Sequence, residues 1–303
     1  MKQLIDAGTL VAKQWIARAL ALCVVGPICS MLATSLLASD GSGDMTFLSA
    51  STGGLLILAL TLLIALGFGV LVSWATDRKE AIFNIALVYG WIGWTIGSMG
   101  EIFRIEHQSG VLLRLGIEAI SITVLTLLGL SLLSKKPQNP ESGISDAVVD
   151  FNPSSLFKSA RSTQGLIAIG LAITASGVVS LFLGQSDLPG QSVGVGLFAG
   201  IAGGLAGAMG WSGSQKNAKK PQPAPYAVLM LGVMLMGCLA PFIGLIGPGA
   251  DELIHLTIKA DIPGYLIVSP IAWSMGALLG VPVGHSWVEH SVQHSVQASG
   301  ARA

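Results

Sequence analysis

Residues 194–210 read GVGLFAGIAGGLAGAMG, a run that has no charged side chain and carries a glycine at almost every helical turn. A helix that crosses the hydrocarbon core of a bilayer needs ~20 predominantly apolar residues. The apolar stretch around this run extends over about 193–211, which is long enough for a span. Its length and its leucine, alanine and glycine content favour a transmembrane helix over the ~10-residue alternating strand of a membrane barrel.

The composition of the whole chain agrees with this interpretation. Of 303 residues, 52% are hydrophobic and only 11% are charged, whereas ordinary soluble domains are about one quarter charged. Sixteen Lys and Arg balance sixteen Asp and Glu. A disordered chain, a disulfide-stapled secreted domain and a basic nucleic-acid-binding protein are therefore excluded, and the lipid bilayer is the expected partner.

Seven further runs have the length and composition of a span. We therefore predict an all-α polytopic membrane protein with about eight transmembrane helices arranged as four hairpins. The predicted spans are 17–38, 53–74, 81–100, 111–134, 165–184, 193–211, 226–247 and 265–284.

The distribution of Lys and Arg predicts the orientation. Thirteen of the sixteen fall on one side of the predicted spans, and the other side has Arg104, Arg114 and Lys259. Cytoplasmic connections carry an excess of positive charge. Both termini are therefore predicted to be cytoplasmic, in a multi-pass protein of the inner (cytoplasmic) membrane or an equivalent one.

Proline-rich and polar stretches divide the predicted organisation into four parts. We expect the polar lead before the first span to be an amphipathic segment on the membrane surface, and the long fourth connection, between the fourth and fifth spans, to be mostly irregular. The parts are an N-terminal segment with a four-helix half at 1–134, a cytoplasmic linker at 135–164, a second four-helix half at 165–284 and a cytoplasmic tail at 285–303.

Regularly spaced glycines predict close helix packing, because a helix face without side chains lets a neighbouring backbone approach. The neighbour is either a helix of the same chain or a helix of another subunit. Prolines 241, 270 and 282 lie inside predicted spans and are expected to kink them. The predicted packing residues are Gly196, Gly200, Gly203, Gly204, Gly207, Gly90, Gly93 and Gly97.

Glu118 is the one carboxylate well inside a predicted span, and Arg114 lies one helical turn before it. A charge in hydrocarbon costs ~2.5–3.5 kcal/mol even on the lenient insertion scale, so such groups face protein or water. Glu101 and Arg104 precede them in the adjoining connection. These four residues form a candidate solute or proton site, with a structural salt bridge as the alternative interpretation.

Two functions follow from these features. The first is a transport or channel-like protein for a small solute or proton. The alternative is a structural or accessory subunit of a membrane complex, or a homo-oligomer, packed through its glycine-rich faces. No HExxH motif or Walker loop occurs, so neither an enzyme nor a metal site is expected, and the sequence specifies no cofactor.

Overall fold

The computed structural model of the chain describes residues 2–35, 53–96, 99, 103, 109–133, 151–186, 188–215, 222–259 and 261–300, and these residues form helices and no strands. The all-α prediction is therefore confirmed. A π-helical segment, Ala21–Val25, joins the first two helices. The helices are α1 Lys2–Leu20, α2 Gly26–Thr34, α3 Gly54–Ala75, α4 Arg78–Ile96, α5 Ser109–Leu133, α6 Pro153–Arg161, α7 Thr163–Leu183, α8 Pro189–Ser214, α9 Tyr226–Ile246, α10 Gly249–Ile258, α11 Gly264–Ile267 and α12 Pro270–Gly300.

Within the residues that the structure describes, six helical stretches are long and apolar enough to cross a membrane, which makes the protein an integral, multi-pass membrane protein. They coincide with six of the eight predicted spans. The stretches are Gly8–Thr34, Leu56–Ala75, Gly110–Leu133, Thr163–Leu183, Gly190–Ser214 and Tyr226–Ile246.

The two other long helices, α4 and α12, occupy the middle of the bundle. Most side chains of α4 are buried, and α12 is buried almost without interruption from Ile271 to Leu278. α12 packs against α4, α8 and α9. The buried parts of these two helices contact protein and not lipid, so they tolerate more polar residues than a lipid-facing helix does.

The N-terminal lead and the first predicted span are continuous in the structure. α1, the π-helical segment and α2 form one uninterrupted helix, so the first span begins well before residue 17. The N–H of Gly26 donates to the carbonyl of Ala21, one residue further back than in an α-helix. The wider turn accommodates Pro27, which has no N–H and whose ring crowds the preceding turn.

Three other boundaries differ from the sequence prediction. Part of the expected linker is helical, because Asn152 caps α6 by accepting a hydrogen bond from the N–H of Ser154; residues 134–150 lie outside the described part. Pro270 does not kink a helix but begins α12, where the hydroxyl of Ser269 accepts from the N–H of Ala272 at 3.3 Å. The expected tail continues α12 as far as Gly300.

α8 and α12 approach each other at backbone distance. A Cβ at Gly200 would overlap the carbonyl of Gly276, and a Cβ at Gly204 would lie 2.7 Å from the Cα of Val281. Only glycine permits this separation, since any side chain would force the two backbones apart. Glycines at four-residue spacing form the contact on both helices: Gly196, Gly200 and Gly204 on α8, and Gly276, Gly280 and Gly284 on α12.

The remaining predicted packing glycines also face helices of the same chain. A Cβ at Gly207 would lie 3.0 Å from the carbonyl of Ala168 on α7, and one at Gly203 would lie 2.5 Å from Val233 on α9. Gly93 contacts α8 and α12, and Gly90 lies near Met275. Gly97 falls outside the described residues. Both glycine faces of α8 are thus covered by the chain itself.

Candidate functional site

A cavity of about 590 Å³ opens at the end of the bundle where α4 begins, which we call the basic end because Arg18, Arg78 and Lys79 lie there. Cavities of several hundred Å³ are large enough for small ligands. Helices α1, α4, α9 and α12 contribute to its wall. The lining residues are Gln14, Arg18, Asp77, Arg78, Lys79, Glu80, Ile82, Phe83, Tyr226, Leu278, Leu279, Pro282 and Val283.

A bidentate ion pair between Arg18 and Glu80 lies in this wall. The guanidinium donates from Nε to Oε1 at 2.8 Å and from Nη2 to Oε2 at 2.7 Å. Asn84 adds a third donor, with its Nδ2 at 2.9 Å from Glu80 Oε1. Glu80 is only 5% exposed. Parallel, charge-assisted hydrogen bonds of this kind fix geometry as well as neutralise charge, so the pair attaches α1 to the first turn of α4.

Two further interactions organise the basic end. Asp77 caps α4, because its Oδ1 accepts from the N–H of Glu80 at 2.8 Å, while its Oδ2 accepts from Gln14 Nε2 at 3.2 Å. Arg78 Nε donates to the carbonyl of Leu133 at 3.1 Å, which satisfies an orphan acceptor at the C-terminus of α5. α1, α4 and α5 are therefore held together beside the cavity.

The opposite wall is formed by α12 and the start of α9. The ring of Tyr226 meets the buried ring of His285 edge to face, with 4.8 Å between centroids. His285 Nδ1 lies 3.7 Å from Glu289 Oε2. Pro282 lines the cavity from within α12, where it lacks the N–H that would complete the helical hydrogen-bond ladder. The turn of α12 at Pro282 therefore has one backbone hydrogen bond fewer than the neighbouring turns.

Buried polar side chains occur between the helices beyond the cavity. Asn84 Oδ1 has no hydrogen-bond partner among the described residues. The hydroxyls of Tyr89 and Thr126 are 3.0 Å apart, and Thr123 Oγ1 lies 3.4 Å from Cys238 Sγ. A polar group in an apolar interior is costly unless it is paired, so the contacts of Tyr89 with Thr126 and of Thr123 with Cys238 offset part of the cost of burying these groups.

The site predicted from the sequence lies elsewhere. Glu118 is buried on α5 at 2% exposure, whereas Arg114, one turn closer to the helix end, is exposed. Glu101 and Arg104 fall outside the described residues. Glu118 is roughly 22 Å along α5 from Leu133, by the ~1.5 Å rise per residue, and Leu133 adjoins the basic end. The cavity and the Glu118 cluster are therefore two separate places.

Sequence reasoning did not single out Arg18 and Glu80. The signal in the sequence is an arginine inside the first apolar run and a glutamate at the edge of the third. Charges at such positions usually have a partner inside the protein. The partners are 62 residues apart, however, so only the tertiary packing of α1 on α4 shows which groups pair.

No metal centre is formed by the residues that the structure describes: no three of their His, Cys, Asp and Glu side chains are grouped so that they could hold an ion. Comparison with known proteins places the chain in no family, because no family model, curated protein or solved structure matches it.

Proposed function

We propose that this chain is a transport or channel-like membrane protein that binds its solute in the cavity at the basic end. The observation that carries the proposal is the cavity itself, with a partly buried ion pair in its wall. Ionisable residues on spanning helices face a bundle interior or a water-filled path, and commonly mark substrate or ion pathways. The proposal assigns that role to Arg18 and Glu80.

The proposal includes eight spans arranged as four hairpins, with both termini and the basic end in the cytoplasm. The excess of Lys and Arg on one side of the spans supports the orientation. The central position of α4 and α12 supports their inclusion as spans, since burial explains their lower hydropathy. In this arrangement the cavity is open to the cytoplasm.

The pathway that we propose follows the buried polar groups across the bundle. It leads from Glu80 past Asn84 and the Tyr89–Thr126 pair towards Glu118. Glu118 supports an outer site because it is a buried carboxylate on a spanning helix. We assign the outer site to the residues Glu118, Arg114, Glu101 and Arg104.

An accessory subunit packed through glycine faces is the competing function. The glycines of α8 offer it little support, because helices of the same chain already cover both faces. A partner would have to dock on the lipid-facing surface of the bundle. The two functions differ in one respect that is open to measurement: a transport cycle exposes the cavity to both sides of the membrane, and an accessory role does not.

The test is two-sided thiol labelling of a single cysteine in the cavity. Cys23, Cys29 and Cys238 are replaced, Leu279→Cys is introduced, and right-side-out and inverted vesicles are treated with an impermeant thiol reagent. We expect reaction from the cytoplasmic side and slower reaction from the outer side. Leu171→Cys on the exposed face of α7 is the matched control and should react from neither side. Reaction of Leu279→Cys from the cytoplasmic side alone would contradict transport.

A further inference from the structure

The cavity at the basic end has a polar part and an apolar part. Gln14, Arg18, Asp77 and Lys79 form the polar part, at the junction of α1 and α4. The apolar wall consists of side chains from α4 and α12: Ile82, Phe83, Leu278, Leu279, Pro282 and Val283. A fully hydrated solute would gain nothing from the apolar wall, so this division favours an amphiphilic ligand.

The charge that remains available at the rim is positive. Both carboxylates already have described donors, since Glu80 accepts from Arg18 and Asn84 and Asp77 accepts from Gln14 and from the helix backbone. Lys79 is exposed at the rim, and no described carboxylate pairs with it. An anionic group would therefore find an ammonium group ready to pair, whereas a cation would meet carboxylates whose charge the described donors already partly offset.

The rim lies at the depth where exposed tryptophans occur. Trp15 precedes Arg18 by one turn on α1, Trp74 lies just before the cap of α4, and Trp287 follows Pro282 on α12; all three are exposed. Tryptophan concentrates at the level of lipid headgroups. The polar part of the cavity is thus level with headgroups, and the apolar wall faces the region of the acyl chains.

α1 contributes Gln14 and Arg18 to the cavity wall and is itself mostly exposed. Among the described side chains of α1, only Ala17 is buried. On the facing helix, Val283 is exposed although it lines the cavity. A chain molecule would therefore reach the cavity sideways from the bilayer, between α1 and α12, without passing through water.

We propose that the cavity binds an amphiphile with an anionic phosphate headgroup, an anionic phospholipid of the surrounding leaflet. Its phosphate contacts Lys79, and an acyl chain lies along Leu278, Leu279 and Val283. Basic pockets between transmembrane helices on the cytoplasmic side are suited to such headgroups. This inference rests on the proposed function, since it names the class of molecule that the cavity would carry.

The experiment measures lipid retained by the purified full-length protein, using native mass spectrometry. Samples are prepared in mixed micelles with phosphatidylglycerol or with phosphatidylcholine. Lys79→Gln removes the rim charge, and Lys158→Gln, an exposed lysine of α6 away from the cavity, is the matched control. Inorganic phosphate and glycerol phosphate are added as competitors, because a site for a free phosphate group would lose its ligand to them.

We expect phosphatidylglycerol to be retained in preference to phosphatidylcholine, and Lys79→Gln to weaken that retention about fivefold, the effect of one cation near a membrane surface. Lys158→Gln should leave it unchanged, and the water-soluble phosphates should not compete. Equal retention of both lipids, equal effects of the two lysine variants, or displacement by phosphate would overturn the lipid assignment. Retention of phosphatidylglycerol together with one-sided labelling of Leu279→Cys would instead refute transport and keep the lipid site.

Discussion

Replacement of Gly200 by alanine tests the packing on which the whole bundle depends. The added Cβ would overlap the carbonyl oxygen of Gly276 on α12. Because this oxygen belongs to the helix backbone, it cannot move aside as the end of a flexible side chain could. α8 and α12 would have to separate along their length. Gly194 lies on the same helix, but a Cβ added there would meet no atom within 4 Å, so Gly194→Ala is a matched control.

The size of the effect follows from two opposing contributions. Alanine is favoured over glycine within a helix by about 1 kcal/mol, and only this contribution acts at Gly194. At Gly200 the overlap adds an overpacking cost of about 1–3 kcal/mol or more. Because the helix-propensity gain acts at both positions, the two variants should differ in stability by the overpacking cost alone, roughly 1–3 kcal/mol or more. This corresponds to a difference in Tm on the order of 3–10 °C.

The assay is thermal unfolding of the detergent-purified protein, followed by the loss of the monodisperse peak in size-exclusion chromatography. We expect Gly194→Ala to melt at or slightly above the parent temperature and Gly200→Ala to melt well below it. Gly276→Ala, on the other side of the same contact, should behave like Gly200→Ala. If Gly200→Ala melts with or above Gly194→Ala, then α8 and α12 do not pack at backbone distance and the arrangement of the central helices is wrong.

Three further predictions concern charge and orientation. Arg18→Met and Glu80→Gln should each lower the Tm, while the double variant recovers part of the loss, with a coupling of about 1–3 kcal/mol; additive losses would mean that the two groups do not interact. A cysteine at Gly43 should react with an impermeant thiol reagent from outside and one at Asn217 should not, and the reverse pattern would invert the proposed orientation. Glu118→Gln should fold, as judged by its elution profile, yet abolish lipid or proton flux in vesicles, and full flux would remove Glu118 from the pathway.

Much of the fold is predictable from local sequence, because a lipid environment demands long apolar helices. The predicted span 226–247 agrees to within one residue at each end with α9, Tyr226–Ile246. The predicted span 53–74 agrees equally well with α3, Gly54–Ala75. Errors occur where a local signal has two outcomes. A proline such as Pro270 in an apolar run predicts a kink, but with Ser269 before it the same residue begins a helix.

The candidate site was less predictable, because it depends on contacts between distant parts of the chain. Glu118 is conspicuous in the sequence since it stands alone in an apolar run. Glu80 stands beside other charged residues and resembles an ordinary helix start. Its burial and its pairing with Arg18 arise only when α1 packs on α4. The spacing of the glycines on α8 likewise predicts a close neighbour without identifying α12 as that neighbour.

Transport of an anionic phospholipid through the cavity is tested most directly by a flux measurement in vesicles. The protein is reconstituted into liposomes that contain a trace of phosphatidylglycerol with a fluorescent headgroup label, and dithionite is added outside to destroy the label that it can reach. We predict that fluorescence falls below the level left by loss of the outer leaflet alone. We also predict that Leu279→Trp, which adds bulk to the apolar wall of the cavity, leaves more of the fluorescence than the parent protein does. If the fluorescence of liposomes with the parent protein falls only to the level left by loss of the outer-leaflet label, transport through the cavity is contradicted.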